Sequence, residues 1–68
     1  VISAGWDAHI RDPLSKLNVS TDAYARIGTM YGHVRLPTVI VQEGGYALDA
    51  IGEAASSFMT AFCNARGL

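Results

Sequence analysis

A run of four consecutive β-branched residues, Thr38 to Val41, constrains the fold of this chain more than any other feature. Residues of this type favour strands, and the lack of polar alternation is typical of a strand that is covered on both faces. A shorter apolar run, Val1 to Ala4, ends at Gly5 and predicts the end of a second buried strand. Because the intervening chain is long enough for a crossover, we predict that the two strands are parallel.

Two amphipathic patterns predict helices, one before and one after the Thr38–Val41 strand. The first follows the capping residue Ser20 and ends at Gly32 and His33. The second begins near Leu48 and ends by Arg66-Gly67. Their predicted inward stripes are Ala23, Ile27 and Met30 with Tyr24 and Tyr31, and Ile51, Ala55, Phe58 and Phe62. With residues 5–19 as a loop, this order predicts an α/β fold with three layers around a parallel sheet.

Composition and charge exclude several classes of protein. Half of the 68 residues are hydrophobic and 16% are charged, which is more core than a free-standing domain of this size usually has. We therefore expect a fragment of a larger domain. The net charge of −1 and the scattered basic residues disfavour binding to nucleic acid, and no apolar run is long enough to span a membrane. The single cysteine, Cys63, excludes an internal disulfide and fits a reducing compartment, so we expect a cytoplasmic location.

Polar residues follow both predicted strands. Asp7 comes soon after the first strand, and Glu43-Gly44-Gly45-Tyr46 follows the second. Because ligands bind at the carboxyl ends of parallel strands, a carboxylate and a phenol would face one pocket. A carboxylate can bind zinc, and a tyrosine hydroxyl can polarise a carbonyl, so the pair suits amide hydrolysis. The structural alternatives are a turn-forming aspartate and a packing tyrosine.

Three motifs together resemble the C-terminal part of the zinc-dependent deacetylases, the family of histone deacetylases, acetylpolyamine amidohydrolases and their bacterial relatives. They are residues 3–9 (Ser-Ala-Gly-Trp-Asp-Ala-His), 12–14 (Asp-Pro-Leu) and 43–46 (Glu-Gly-Gly-Tyr). Trp6 stands where the family usually has Phe. Having Glu at position 43 resembles the class II, bacterial and polyamine branches of the family. The resemblance implies an arginase/deacetylase-like fold, with residues 1–68 as a C-terminal βαβα fragment of one catalytic domain.

The resemblance also implies roles for individual residues. Asp7 would be one of three protein ligands of a zinc ion (Zn2+), and Tyr46 would hydrogen-bond the scissile carbonyl. Leu14, Gly44 and Gly45 would line the channel for the acetylated amine chain. Although Asp7-Ala8-His9 has the spacing of another zinc-binding motif of the family, the residues that follow differ, so His9 is not expected to bind metal. Asp12 and Glu43 are expected to brace the loops.

The predicted function is zinc-dependent removal of acetyl from an acetylated lysine or polyamine. The remaining zinc ligands and the general-base histidines of the family would lie outside these residues, so we expect the 68 residues alone to be inactive. The alternatives are a metal-free module that binds acetylated ligands, a structural segment with accidental motif matches, and a dimanganese ureohydrolase, which Tyr46 disfavours. Iron or cobalt could use similar ligands. We expect no nucleic-acid or membrane partner, and a homo-oligomer is left open.

Overall fold

The computed structural model describes residues 1–14 and 17–68, and within them the chain folds as strand, helix, strand, helix. The elements are β1 (Ile2–Ala4), α1 (Thr21–Gly32), β2 (Ile40–Gln42) and α2 (Leu48–Arg66). The strands are parallel, with Ile2 opposite Ile40 and Ala4 opposite Gln42. The predicted element order and the parallel pairing are therefore confirmed. Within the described residues, neither helix has the length and apolarity that a membrane span requires.

The helix ends follow the predicted capping chemistry. The Ser20 hydroxyl accepts a hydrogen bond from the Ala23 N–H at 3.1 Å, which satisfies one donor at the start of α1. Gly67 follows α2 with a φ of 80°, the left-handed conformation that glycine adopts without strain. β2 begins two residues later than predicted, at Ile40, although the Val39 carbonyl already accepts the Ile2 N–H at 2.8 Å.

The core lies on one face of the two-stranded sheet. Ile2, Ala4 and Ile40 line that face and pack against residues of both helices and against Trp6. The Trp6 ring contacts Tyr24 and Phe58 edge-to-face, with centroid distances of 5.4 and 5.9 Å. The other face of the sheet is exposed at Val39 and Val41. The prediction that both faces of β2 are covered is thus met on one face only, since the described residues form two of the three expected layers.

The two helices pack through small residues, which corrects the predicted stripe of α1. The residues of α1 that are buried are Tyr24, Gly28 and Gly32, whereas Ile27, Met30 and Tyr31 of the predicted stripe are exposed. A methyl group on Gly32 would lie 2.5 Å from the Phe62 carbonyl oxygen, and one on Gly28 would overlap the Phe58 carbonyl oxygen. The buried residues of α2 recur every four positions (Ala50, Ala54, Phe58, Phe62), so Ile51 and Ala55 are only partly buried.

Arg66, at the end of α2, holds the connection that leads into β2. Its guanidinium donates hydrogen bonds to the carbonyls of Gly32, Val34 and Leu36 at 3.0, 2.6 and 2.8 Å. It also lies over the Phe62 ring, 4.8 Å from the centroid. Because these acceptors include the last residue of α1, Arg66 fixes how the chain leaves α1 and returns beside β1.

Candidate active site

The two motifs that follow the strands lie side by side at the carboxyl edge of the sheet. The parallel ladder continues past β1 and β2, since the Glu43 N–H donates to the Ala4 carbonyl at 2.8 Å and the Trp6 N–H donates to the Gly44 carbonyl at 2.7 Å. These bonds fix Asp7, one residue beyond Trp6, and Tyr46, two residues beyond Gly44, at the same edge. The sequence prediction of a shared edge is confirmed.

Asp7 and Tyr46 face one small volume next to Gly44. A methyl group built on Gly44 would lie 3.2 Å from the Asp7 carboxylate and 3.5 Å from the Tyr46 hydroxyl. A methyl group on Gly5 would lie 2.8 Å from the other Asp7 oxygen. The absence of side chains at Gly5 and Gly44 therefore leaves the space in which a carboxylate and a phenol meet.

The Asp7 carboxylate fits the role of a metal ligand. It is partly exposed, and none of the described residues donates a hydrogen bond to it, so its oxygens are available to a cation. A catalytic zinc needs three protein ligands. The described residues contain no group of three histidine, cysteine, aspartate or glutamate side chains that could hold a metal ion. The described residues therefore do not by themselves form a site with three protein ligands.

Tyr46 presents its hydroxyl to solvent at the mouth of this volume. The side chain is 50% exposed, and within the described part of the chain its hydroxyl makes no hydrogen bond. Its backbone N–H is fixed by the Asp12 carboxylate at 2.8 Å. The phenol is thus free to donate a hydrogen bond to a ligand, while its backbone is held.

Gly45 and Leu14 contact residues other than Asp7 and the Tyr46 hydroxyl. A methyl group on Gly45 would lie 3.0 Å from the Trp6 side chain and 3.5 Å from Ile51, so Gly45 packs against the indole. Leu14 is 71% exposed, and its backbone N–H donates to Asp12 at 2.9 Å. The residues that the fold brings together are Asp7, Gly44 and Tyr46, and Leu14 is connected to them through Asp12.

His9 is a buried structural residue. It is 2% exposed, its Nδ1 accepts the Arg11 N–H at 3.1 Å, and its Nε2 lies 2.7 Å from the Thr21 hydroxyl. Because Nδ1 accepts a hydrogen bond, the ring proton lies on Nε2, which donates a hydrogen bond to the Thr21 hydroxyl. The ring also stacks on Tyr24 at a centroid distance of 6.2 Å. Both nitrogens are engaged, which agrees with the expectation that His9 does not bind metal.

Asp12, rather than Glu43, braces the two loops. Its side chain is 6% exposed and accepts the N–H groups of Tyr46 and Leu14. The side chain of Glu43 is exposed, and none of the described residues donates a hydrogen bond to it. The Asp-Pro-Leu sequence is a sufficient signal for the local bond to Leu14, because aspartate often accepts the N–H two residues ahead. It gives no signal for the bond to Tyr46.

Tyr24 is a site-supporting residue that sequence reasoning assigned to the core alone. Its hydroxyl donates to the Gly5 carbonyl at 3.0 Å, just before Asp7. Burial and the nearby Asp7 carboxylate raise the pKa of Tyr24 above its ordinary value of 10.0; Asp12 adds to the rise and a hydrogen bond from the Ala8 backbone opposes it. The phenol therefore stays protonated and keeps its bond to the strand end.

The family of this chain is shown by comparison with known proteins. The histone deacetylase domain matches residues 1–62, so the chain belongs to the histone deacetylase family. A crystal structure of acetylpolyamine aminohydrolase from Burkholderia pseudomallei superposes with a TM-score of 0.85 at 46% identity, covering 90% of this chain and 18% of that one. This match confirms the α/β, arginase/deacetylase-like fold predicted from the sequence.

Curated relatives carry similar names. The chain is 46% identical over 67 residues to the acetylpolyamine amidohydrolase of Burkholderia pseudomallei, covering 98% of this chain and 20% of the relative. It is 42% identical over 52 residues to acetylpolyamine amidohydrolase 1 of Pseudomonas aeruginosa, covering 76% of this chain and 15% of the relative. It is 41% identical over 58 residues to a probable deacetylase of Methanothermobacter thermautotrophicus, covering 85% of this chain and 18% of the relative. The chain thus spans about a fifth of the length of the relatives it matches.

Proposed function

We propose that these residues form part of the active site of a zinc-dependent deacetylase. The observation that carries the proposal is the meeting of the Asp7 carboxylate and the Tyr46 hydroxyl beside Gly44, in a chain of the histone deacetylase family. A carboxylate that receives no hydrogen bond from the described residues is suited to a cation. A free phenol close to it is suited to the carbonyl oxygen of an amide. The two groups thus match the two needs of amide hydrolysis.

In this proposal Asp7 is one of the protein ligands of the zinc ion, and Tyr46 binds the substrate. When bound, zinc supplies a Lewis acid that polarises a carbonyl and favours ionisation of water. The Tyr46 hydroxyl donates a hydrogen bond to the acetyl oxygen, and this bond strengthens as negative charge develops on that oxygen. Hydrolysis adds water across the amide and releases acetate and the free amine. Gly44 leaves room for the acetyl group between the two side chains.

For the substrate, we propose an acetylated polyamine ahead of an acetylated lysine. The support is that relatives from Burkholderia and Pseudomonas bear the name acetylpolyamine amidohydrolase. Leu14, Gly44 and Gly45 stay proposed as wall residues of the channel for the amine chain. Because the described residues contain no group of three side chains that could hold a zinc ion, we also propose that residues 1–68 alone do not catalyse the reaction. The free thiol of Cys63 supports the proposed cytoplasmic location.

Tyr46→Phe and Asp7→Asn in the intact protein test this function. We expect Y46F to bind zinc normally and to lower kcat by about 10²–10³-fold, as the loss of an oxyanion donor does. We expect D7N to lower the zinc content after dialysis, measured by elemental analysis, because a carboxylate ligand is lost. Tyr31→Phe, an exposed tyrosine outside the site, is the matched control and should keep both activity and zinc. Full deacetylase activity in Y46F would contradict the proposal.

A further inference from the structure

We propose that Asp12 is a positioning residue, which holds Tyr46 where its hydroxyl meets the substrate carbonyl. The inference rests on the proposed function of Tyr46. Asp12 itself is buried beneath the loops and acts through the Tyr46 backbone rather than on the substrate. Nothing in the motif of which it is part, Asp12-Pro13-Leu14, indicates this long-range role.

The buried Asp12 carboxylate needs hydrogen bonds to offset the cost of its burial. At 6% exposure, the Asp12 side chain has lost most of its hydration, which is unfavourable unless hydrogen bonds replace the water. The Tyr46 N–H at 2.8 Å and the Leu14 N–H at 2.9 Å, each donated to a different oxygen, supply such bonds. Bonds from N–H groups to an ionised acceptor are about twice as strong as neutral ones.

The Tyr46 backbone has few other contacts that hold it in place. Residues 43–47 lie in neither helix nor strand. Two residues of this segment are fixed by other bonds. The Gly44 carbonyl accepts the Trp6 N–H, and the Ala47 carbonyl accepts the N–H groups of Ala50 and Ile51. Within the described part of the chain, the Tyr46 backbone makes one hydrogen bond, which its N–H donates to the Asp12 carboxylate. The position of its Cα, from which the phenol extends, therefore depends on Asp12.

The ion pairs that join the same loop to α2 are exposed and weaker. Arg11 joins the loop to α2 through ion pairs with Asp49, at 3.2 Å, and with Glu53. All three side chains are exposed, and ion pairs of this kind contribute little to stability. They connect the loop to the helix that follows Tyr46, not to Tyr46 itself. Among the described residues, Asp12 is the buried side chain that bonds the Tyr46 backbone directly.

Asn at position 12 is the most informative substitution, because it preserves shape and removes one acceptor. An amide has one oxygen, so its NH2 group must face either the Tyr46 N–H or the Leu14 N–H. One of the two hydrogen bonds is lost, and two donors are placed against each other. We expect D12N to keep the fold and to lower kcat by roughly tenfold to hundredfold, since a misplacement of about 1 Å can cost that much.

A double-mutant cycle separates positioning from a general structural effect. If Asp12 acts through the Tyr46 hydroxyl, D12N in the Y46F background should lower kcat by less than about twofold, because the group it positions is gone. An equal loss of kcat in both backgrounds overturns the inference while leaving the proposed function intact. If Y46F alone keeps full kcat, the proposed function fails first, and the inference fails with it.

Amide hydrogen exchange at Tyr46 gives a readout that does not depend on activity or on a variant. In the intact wild-type protein, we expect the Tyr46 amide to exchange slowly although it lies outside any helix or strand. Exchange at the rate of a free loop amide would overturn the inference. Gly67→Ala is the matched control, because it strains a remote helix end, where φ is 80°, and should change neither kcat nor this protection.

Discussion

The helix–helix interface and the carboxyl edge of the sheet are held together by different forces. Along the interface, Gly28 and Gly32 let α1 approach the backbone of α2 so closely that a single methyl group at either position would meet carbonyl oxygen. At the sheet edge, the loops are positioned by hydrogen bonds to the Asp12 carboxylate, the Gly5 carbonyl and the Gly44 carbonyl. The interface is defined by shape, and the site by a few directed polar contacts.

The helix–helix interface and the sheet edge should therefore respond differently to substitution. Close packing responds steeply to added volume, because backbone atoms cannot move without moving a whole helix. A site built from hydrogen bonds on a polar edge responds in activity before it responds in stability. Substitutions of glycine in the two regions should therefore separate into losses of folding free energy and losses of catalysis.

Gly28→Ala should give the largest effect. The added methyl group would overlap the Phe58 carbonyl oxygen, which belongs to helix backbone, so we expect a loss of about 3 kcal/mol in the free energy of unfolding. Gly52→Ala is the matched control, since nothing lies within 4 Å of its added methyl group and alanine is the better helix former. It should gain about 0.5–1 kcal/mol. Denaturant titration of both variants measures this, and equal stabilities would contradict the close approach.

Gly44→Ala should give the next largest effect, in activity. Its methyl group would lie 3.2 Å from the Asp7 carboxylate and 3.5 Å from the Tyr46 hydroxyl, where the acetyl group is proposed to bind. We expect kcat/KM to fall by roughly tenfold to hundredfold. Stability should change by less than about 1 kcal/mol, because Gly44 has no positive φ that an alanine would strain. A variant that loses stability but keeps its activity would place Gly44 in the packing class of Gly28.

Tyr24 joins the two regions and should give the smallest effect, visible at alkaline pH. Burial and the charge of Asp7 raise its pKa above 10.0, so in metal-free protein the unfolded state loses this proton before the folded state does. The contribution to stability is fully present below pH 10.0 and is lost as the pH rises through the pKa of the folded state.

Comparison with Tyr24→Phe isolates that contribution. The wild-type protein should lose free energy of unfolding more steeply with rising pH than Y24F does, as measured by denaturant titration at alkaline pH. The tyrosinate absorbance should also show one phenol fewer among the late-titrating groups in Y24F. Identical pH dependence in the two proteins would argue against the buried hydrogen bond from Tyr24 to Gly5.

Much of the candidate site was predictable because its residues are close to features that the sequence displays. Asp7 and Tyr46 each follow an apolar strand, and two parallel strands bring whatever follows them to one edge. The structure gives no geometric support for Gly45 as a wall residue of the channel, because Gly45 packs against Trp6 and Ile51. Such packing depends on side chains far along the chain.

The sequence by itself determined the order of elements, the Ser20 and Gly67 caps and the shared edge of the two motifs. These depend on local backbone preference and on the direction of the strands. Only the tertiary structure decided that α1 packs through its glycines rather than through Ile27 and Met30, because this depends on how near a second helix comes. It also decided that Asp12 holds Tyr46, 34 positions away. Local chemistry can be read along the chain, whereas contacts between distant residues depend on the shape into which the whole chain folds.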